Sequence, residues 1–204
     1  MVSRHHTHET SCQTKEAILN SAADLFAEVG YQGMTIDEVA RRADVGKGTV
    51  YLYFESKKEL AFSIVDRMND NLREQHRQIL KSKGNPEERL QKMLISRVMF
   101  RFDAVKGFKE GVDYMLGCLR PALMQRKKSY VDQEAVNFVE ILVEGRTLGA
   151  FQCDNPLETA HALITATAAL LPYSLSPAEL GSRQALEHRA TVLSSLLVKG
   201  LKTQ

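Results

Sequence analysis

Residues 35–58 read TIDEVARRADVGKGTVYLYFESKK, and within this stretch two short helical patterns are separated by only three residues. Thr35 followed by Glu38 predicts a capping box at the start of the first helix. The break Asp44-Val45-Gly46 ends that pattern, and a second helix is predicted to begin at Lys47. Because so short a connection forces two helices to cross steeply, the spacing predicts a helix-turn-helix unit.

The second helix of such a unit enters the major groove of DNA. The local charge agrees, since residues 41–58 hold five basic and two acidic side chains, an excess of +3, whereas the whole chain carries +2. Gly48 costs its helix about 1 kcal/mol relative to alanine, so we expect another surface to approach it closely. Lys57 and Lys58 begin the next helix, where the helix dipole disfavours cations unless a phosphate binds there.

Length and composition restrict the classes of protein that fit. The chain has 204 residues, of which 44% are hydrophobic and 25% charged, so one domain or two small ones are expected. Cys12, Cys118 and Cys153 form no CxxC pair, which disfavours a disulfide framework or zinc site and favours the cytoplasm. We therefore expect no metal and no cofactor. The uncharged stretch 159–178 is interrupted at Pro172, which favours a buried helix over a membrane span.

Helical periodicity continues on both sides of the central unit, and few β signals occur. The sequence predicts an all-α fold, with an N-terminal three-helix helix-turn-helix DNA-binding domain and a C-terminal helical ligand-binding and dimerisation domain. We expect residues 1–12 to form a disordered arm, residues 13–56 the DNA-binding domain, and residues 57–204 the regulatory and dimerisation domain.

Two further boundaries follow from glycine and proline positions. The first helix is predicted to start near residues 10–14 and to end near Gly30, where a left-handed C-cap is expected. Pro121 is predicted to kink or end a later helix, and a separate helix is expected from about Ser129 to Arg146.

The stretch from Ile18 to Leu60, ILNSAADLFAEVGYQGMTIDEVARRADVGKGTVYLYFESKKEL, resembles the DNA-binding domain of TetR-family transcriptional regulators. The matching pattern runs through Phe26, Gly30, Thr35, Ile36, Ala40, Ala43, Val45, Gly48, Tyr51, Phe54 and Lys57. The resemblance implies DNA phosphate contacts by Thr35, Tyr51, Tyr53 and Lys57. It implies base contacts by Lys47, Gly48 and Thr49. Asp44, Gly46 and Tyr53 depart from the family pattern, in which glycine, serine and histidine are common at these positions.

Methionine and aromatic residues in the C-terminal part are candidates for an effector pocket. Such a mixture, with one polar group, suits a small, largely apolar ligand. The candidate ligand-binding residues are Met93, Phe100, Tyr114, Met115, Cys118, Leu119, Phe138, Leu142 and His161. For each of these residues taken singly, ordinary core packing is the alternative interpretation.

Two C-terminal helices are expected to pair with their two-fold copies and form a four-helix interface. The candidate interface residues are Leu163, Thr167, Leu171, Leu186, Leu193 and Leu197. A homodimer would present two recognition helices to successive major grooves of a pseudo-palindromic operator in double-stranded DNA.

These features together predict a cytoplasmic, ligand-responsive transcriptional repressor that an unidentified small-molecule effector releases from DNA, with no membrane partner. One alternative is a regulator of the same fold that activates transcription or responds to a protein partner. Another is a helical enzyme. Against an enzyme, the sequence contains no nucleophile elbow, phosphate-binding glycine loop, HExxH or paired-carboxylate motif.

Overall fold

The computed structural model describes residues 3–106, 112–171 and 181–202. These residues form eight α-helices: α1 (Ser3–Gly33), α2 (Ile36–Arg42), α3 (Lys47–Tyr53), α4 (Lys57–Leu80), α5 (Pro86–Lys106), α6 (Val112–Thr147), α7 (Pro156–Ala168) and α8 (Arg183–Gly200). The predicted all-α fold is confirmed, since the described part of the chain has a single isolated β-bridge, between Phe151 and Lys202, and no named strand.

The described residues divide into two compact units. The N-terminal unit holds residues 3–68 together with 112–120, and the C-terminal unit holds the remainder. The boundary near Met68 lies twelve residues beyond the expected end of the DNA-binding domain at residue 56. The first half of α4 belongs to the N-terminal unit because it supplies Leu60 and Ile64 to the buried apolar residues there.

The start and end of α1 differ from the sequence prediction. The helix begins at Ser3, so residues 3–12 of the expected disordered arm are helical. Neither glycine nor proline interrupts the chain before Gly30, so no local signal stops the helix from extending toward the N-terminus. At Gly30 the backbone adopts φ 71° and leaves the helical conformation. The positive φ that glycine favours is therefore present, but the ψ of −179° is not that of the predicted left-handed C-cap, and one more turn follows Gly30.

Pro121 lies inside α6, which is continuous from Val112 to Thr147. The prediction that a helix ends at Pro121 and a separate one starts near Ser129 is therefore wrong, whereas the predicted kink at Pro121 stays a prediction. Proline removes one backbone donor from the ladder of hydrogen bonds, but a 36-residue helix retains the bonds of the turns on either side. α6 ends where predicted, close to Arg146.

The connection between α6 and α7 has one tight contact. Gly149 has φ 72° and its N–H donates to the Arg146 carbonyl, while the Ala150 N–H donates to the Gly145 carbonyl at 2.8 Å. This pair of bonds is a Schellman motif, which closes the helix end. The ring of buried Phe151 covers Gly145 so closely that a Cβ there would overlap the ring atoms.

The C-terminal unit is built around α5, which packs against α7 and α8. Its larger cluster of buried side chains draws on α4, α5, α6, α7 and α8 and includes Leu90, Met93, Leu94, Phe138, Ile141, Leu142, Leu163 and Val198. Among the described residues, no helix is both long and apolar enough to cross a membrane.

Candidate nucleic-acid interface

Helix α2 begins with the predicted cap. The Thr35 hydroxyl accepts a hydrogen bond from the Glu38 N–H at 3.2 Å, and Ile36, Val39 and Ala40 are buried. Glu38 does not reach back to Thr35, as a complete capping box requires. Its carboxylate instead accepts hydrogen bonds from Arg41 at 2.6 Å and 2.8 Å and from Arg42 at 3.3 Å. Those guanidinium groups lower the pKa of Glu38 to about 2.

The connection between α2 and α3 has the conformation that its sequence predicts. Asp44 adopts φ 53°, a left-handed conformation that aspartate tolerates better than most residues. The Val45 N–H donates to the Ala40 carbonyl at 3.0 Å. Gly46 is the N-cap of α3 without a side-chain bond, and its carbonyl accepts the Thr49 N–H at 2.9 Å.

Helix α3 buries one face and exposes another. Val50 and Phe54, just beyond its end, are buried, whereas Lys47, Gly48, Tyr51 and Leu52 are exposed and Thr49 is half-buried. A Cβ placed on Gly48 would meet no atom within 4 Å. No part of the described protein therefore accounts for the glycine, which leaves an external surface as the explanation of its cost to the helix.

Lys47 is held by an acidic neighbour. Its ammonium lies 2.8 Å from the Asp37 carboxylate, and this contact raises the pKa of Lys47. Both side chains are more than half exposed, so the pair is weak and open to exchange with a stronger anion. Arg42 is similarly engaged, since it contacts Glu28 through two hydrogen bonds at 2.7 Å and 2.8 Å.

The two remaining predicted phosphate ligands also have partners within the N-terminal unit. The Tyr53 hydroxyl and Ser11 Oγ are 3.1 Å apart. The Lys57 ammonium donates to the Gln32 carbonyl at 3.1 Å and lies 4.7 Å from the centre of the Tyr31 ring. Partial burial lowers the pKa of Lys57, but an ammonium has three donors, and the Gln32 bond uses one of them.

The structure therefore collects the seven candidate DNA-binding residues on α2, α3, the start of α4 and their caps. Sequence reasoning missed two residues on the same surface. Asp37 pairs with Lys47. The sequence signal for Asp37 was its acidic side chain in the first turn of α2, two residues after the predicted cap Thr35. Leu52, which is 84% exposed, could have been found because it lies one turn after Gly48.

The candidate effector residues are only partly brought together. Met93, Phe138 and Leu142 are fully buried in one apolar cluster, while Phe100 is half-buried. The His161 ring lies 3.3 Å from the Asp132 carboxylate at the surface of α7. The side chains of the other four candidates, Tyr114, Met115, Cys118 and Leu119, lie outside the described residues.

A buried charged cluster that the sequence did not predict lies in the same unit. The Glu134 carboxylate on α6 contacts Arg97 at 2.8 Å and Arg101 at 2.9 Å, both on α5. Arg97 also donates to the Thr167 hydroxyl on α7 at 3.0 Å. Residues so far apart in sequence give no local pattern, which is why sequence reasoning did not find them.

His76 on α4 is buried beside this cluster. Its ring stands edge-on to Phe138, with 5.2 Å between ring centres, and neither ring nitrogen makes a well-formed hydrogen bond. Burial lowers the pKa of His76 to about 4; the Glu134 charge opposes that shift and the Arg97 and Arg101 charges add to it. The ring is therefore neutral at physiological pH.

Three of the six candidate dimer residues are buried within the chain itself, and the other three are half-buried. Leu163, Thr167 and Leu186 are buried inside the C-terminal unit, because the apolar stripe of each helix faces its own core first. Leu171, Leu193 and Leu197 are half-buried. The exposed apolar side chains of α7 and α8 are instead Leu157, Val192 and Leu196.

Within the described residues, no group of three histidine, cysteine, aspartate or glutamate side chains is placed to hold a metal ion. Of the two cysteines described, Cys12 is exposed and Cys153 buried.

Comparison with known proteins shows which regulators the chain is similar to. Residues 18–64 match the family model of bacterial regulatory proteins, tetR family. The chain is 28% identical over 154 residues to the HTH-type transcriptional repressor KstR2 of Mycobacterium tuberculosis, covering 74% of this chain and 75% of KstR2. It is 25% identical over 165 residues to the uncharacterized HTH-type transcriptional regulator YhgD of Bacillus subtilis, covering 79% of this chain and 84% of YhgD.

A solved structure shows the same fold. The crystal structure of a transcriptional regulator from Cytophaga hutchinsonii matches with a TM-score of 0.76 at 22% identity and covers 92% of this chain and 98% of that one. Residues 18–64, which contain the helix-turn-helix unit, therefore form a DNA-binding domain of the tetR family type, followed by a helical C-terminal unit.

Proposed function

We propose that this chain is a TetR-family regulator that binds a pseudo-palindromic operator as a homodimer, represses transcription and leaves the DNA when a small, largely apolar effector binds its C-terminal unit. The exposed face of α3 is the observation that carries the DNA-binding part of this proposal. Gly48 is open on that face and meets no atom of the protein, so a base edge or the DNA backbone can approach the helix there.

In this proposal Lys47, Gly48 and Thr49 contact base edges, since they lie on the first turn of α3. The Lys47 ammonium would exchange its exposed Asp37 partner for a base acceptor such as guanine O6 or N7. Thr49 is half-buried, so its hydroxyl and methyl groups have a restricted set of positions, which favours discrimination between bases.

The phosphate contacts in this proposal come from Thr35, Tyr51, Tyr53 and Lys57. The Thr35 hydroxyl already accepts from the Glu38 N–H, and its own O–H can donate to a phosphate oxygen. Tyr51 is 47% exposed, so its hydroxyl reaches solvent without rearrangement. These contacts would fix the register of the protein on the duplex without reading its sequence.

The homodimer in this proposal uses the exposed apolar side chains of α7 and α8. Val192 and Leu196 are 47% and 62% exposed, and their spacing of four residues puts them on one face of α8. Leu157 on α7 is 52% exposed. A two-fold axis would bring each of these patches against its own copy, which removes their apolar surface from water.

The effector part of the proposal rests on the buried polar groups of the C-terminal unit. Neither ring nitrogen of the buried His76 makes a well-formed hydrogen bond. A ligand with a polar group could satisfy such atoms while its apolar part packs among Met93 and Phe138. Helix α4 carries both His76 and Lys57, so a shift of α4 on ligand binding would alter a phosphate contact.

The repressor part of the proposal is supported by the similarity to KstR2, which is named a transcriptional repressor. Proteins of this kind act by binding DNA and ligand, and we propose no catalytic activity for the chain. We also propose that it works in the cytoplasm, where its DNA is found.

Selection of random duplexes by the purified full-length chain tests DNA binding directly. We expect one enriched, near-palindromic sequence. The variants K47A and T49A should change the preferred sequence, whereas K57A should weaken binding to all duplexes alike and reduce the salt dependence by about one unit of slope. Equal losses for T49A on the selected and on random DNA would contradict base reading by that residue.

A reporter gene behind the selected sequence tests the direction of regulation. Repression predicts that expression of the chain lowers the reporter signal and that a G48A variant, which blocks approach to α3, restores it. A rise of the signal with the chain and its loss with G48A would show an activator.

A further inference from the structure

Leu52 is an apolar residue on the exposed face of α3, where it does not contribute to the core of the protein. Its side chain is 84% exposed, more than any other large apolar side chain of the described residues. Single exposed leucines are common on protein surfaces, so the exposure alone indicates nothing. Its place is informative because Leu52 lies four residues after Gly48, and residues at this spacing share one face of a helix.

The space beside Leu52 is open. A helical side chain leans toward the N-terminal turn, which places Leu52 over the turn that contains Gly48. Apart from Lys47, Thr49 and the backbone of the helix itself, no atom of the described protein lies within 4 Å of the position that a Gly48 Cβ would take, and the Leu52 side chain is no exception. The exposed Leu52 side chain and the bare backbone of Gly48 thus lie on one open face of α3, which we call the notch.

The charge around this notch selects the partner. Residues 41–58 carry an excess of +3, so a polyanion is favoured over an apolar protein surface or a second copy of the same positive face. In the major groove of DNA, the apolar group on the base edges is the 5-methyl group of thymine.

We propose that Leu52 is a specificity-determining residue that contacts the 5-methyl group of a thymine in each operator half-site. This inference rests on the proposed operator binding and adds one base preference to it. One helical turn, about 5.4 Å, separates Leu52 from Gly48, and base pairs are about 3.4 Å apart. The thymine therefore lies one or two base pairs from the pair that faces Gly48.

Deoxyuridine tests the proposal, because it pairs like thymidine but lacks the 5-methyl group. Duplexes carrying the selected operator are made with each thymine replaced by deoxyuridine in turn, symmetrically in both half-sites. Binding of the full-length chain is measured by fluorescence anisotropy. One position should lower the affinity by about fourfold per half-site, the value of one buried carbon group, and the L52A variant should be insensitive to that same replacement.

Two controls keep the outcome specific. L52A should bind the thymine operator more weakly with an unchanged salt slope, whereas K57A should lower the salt slope and retain the sensitivity to deoxyuridine. Because Leu52 is exposed, L52A should keep the unfolding temperature of the parent chain, and L52M should keep the preference.

The outcomes separate this proposal from the one it rests on. Specific binding with no position sensitive to deoxyuridine overturns the role of Leu52 and leaves operator binding intact. A sensitive position that persists in L52A assigns the methyl contact to another residue, with Thr49 the first to test. Failure of the parent chain to select any sequence overturns both proposals.

Discussion

Asp37 controls how much positive charge the start of α3 presents. Its carboxylate lies 2.8 Å from the Lys47 ammonium, on the surface proposed to meet DNA, where a negative charge repels phosphates. The same contact keeps Lys47 in one position and raises its pKa. We therefore expect the pair to restrain binding to DNA of any sequence.

We expect D37N to bind random duplex DNA more tightly, with the slope of log affinity against log salt steeper by about 0.9, the value for one added phosphate contact. This slope is measured by anisotropy titrations between about 50 and 200 mM salt, a range in which such slopes are resolved. The charge-matched control is D24N, at an exposed position of α1. An equal change in D24N would mean that net charge alone is responsible.

Gly48 allows folding and DNA binding to be separated. Alanine at this position meets no atom and favours the helix by about 1 kcal/mol, so G48A should raise the unfolding temperature by about 2–4 °C. The same methyl group should lower operator affinity at least about fivefold, because overpacking a close contact costs about 1–3 kcal/mol.

Calorimetry and anisotropy on the same preparation of G48A measure both effects. The control is G200A, at the end of α8, where a Cβ also meets open space; its operator affinity should equal that of the parent chain. A G48A variant with parental affinity would remove the close approach on which the proposed function depends.

Three helices of the C-terminal unit are joined by one group of charges. Arg97 and Arg101 on α5 share the Glu134 carboxylate of α6, and Arg97 also donates to Thr167 of α7. Glu134 and Arg97 are almost fully buried. Buried ion pairs are costly to form, and removing one partner leaves the other charge without compensation.

Replacing Glu134 by leucine should therefore lower the free energy of unfolding by about 3–5 kcal/mol, measured by urea unfolding. The matched control is D103N, which removes an exposed partner of Arg183 and should cost less than about 1 kcal/mol. If both variants lower the free energy of unfolding by the same amount, the buried ion pairs stabilise the C-terminal unit no more than the exposed pair does.

Helix ends were predictable because their signals are local. Thr35, Asn155 and Ser182 each accept a hydrogen bond from a backbone N–H three residues later, and that spacing is legible in the sequence. The continuation of α6 through Pro121 was not predictable in this way. Whether a helix continues past a proline depends on the hydrogen bonds of its other turns and on its packing.

At the scale of the whole molecule, the stability of the fold should depend on His76. The unfolded chain takes up a proton on this residue below its ordinary pKa of 6.5, whereas the folded chain does so only near pH 4. The stabilisation is thus complete above about pH 6.5 and is lost as the pH falls toward 4, since the unfolded state binds more protons.

Between pH 7 and pH 5, the His76 contribution should fall by about 2 kcal/mol. Urea unfolding of the parent chain and of H76F at both pH values isolates it, because other groups titrate equally in the two proteins. A loss of stability on acidification that is the same in H76F would exclude His76 as its source.

The proposed homodimer makes a second prediction at this scale. Leu196 is 62% exposed, and a glutamate there would bury a charge in the two-fold interface at a cost of several kcal/mol. We expect L196E to be monomeric by analytical ultracentrifugation and to lose most of its operator affinity. The control V29E changes an exposed residue of α1 and should stay dimeric. A dimeric L196E would place the interface elsewhere.

The candidate DNA-binding residues could be placed on one surface from the sequence more readily than the contacts of the C-terminal unit, for a physical reason. Thr35, Lys47 and Lys57 lie within 23 residues of one another, so short turns bring them together whatever the rest of the chain does. The contacts of Arg97 with Glu134 and Thr167 join residues 37 and 70 positions apart. Such pairs follow from the packing of whole helices, and the same packing buried Leu163 and Leu186, which the sequence assigned to the dimer interface.

The overlap between the Phe151 ring and the space above Gly145 has an evolutionary consequence. A larger side chain at position 145 requires a smaller one at position 151, so natural substitutions at the two positions should be correlated. Descendants that retain the glycine are free to exchange one bulky ring for another at 151, whereas any lineage with a side chain at 145 should carry a small residue opposite.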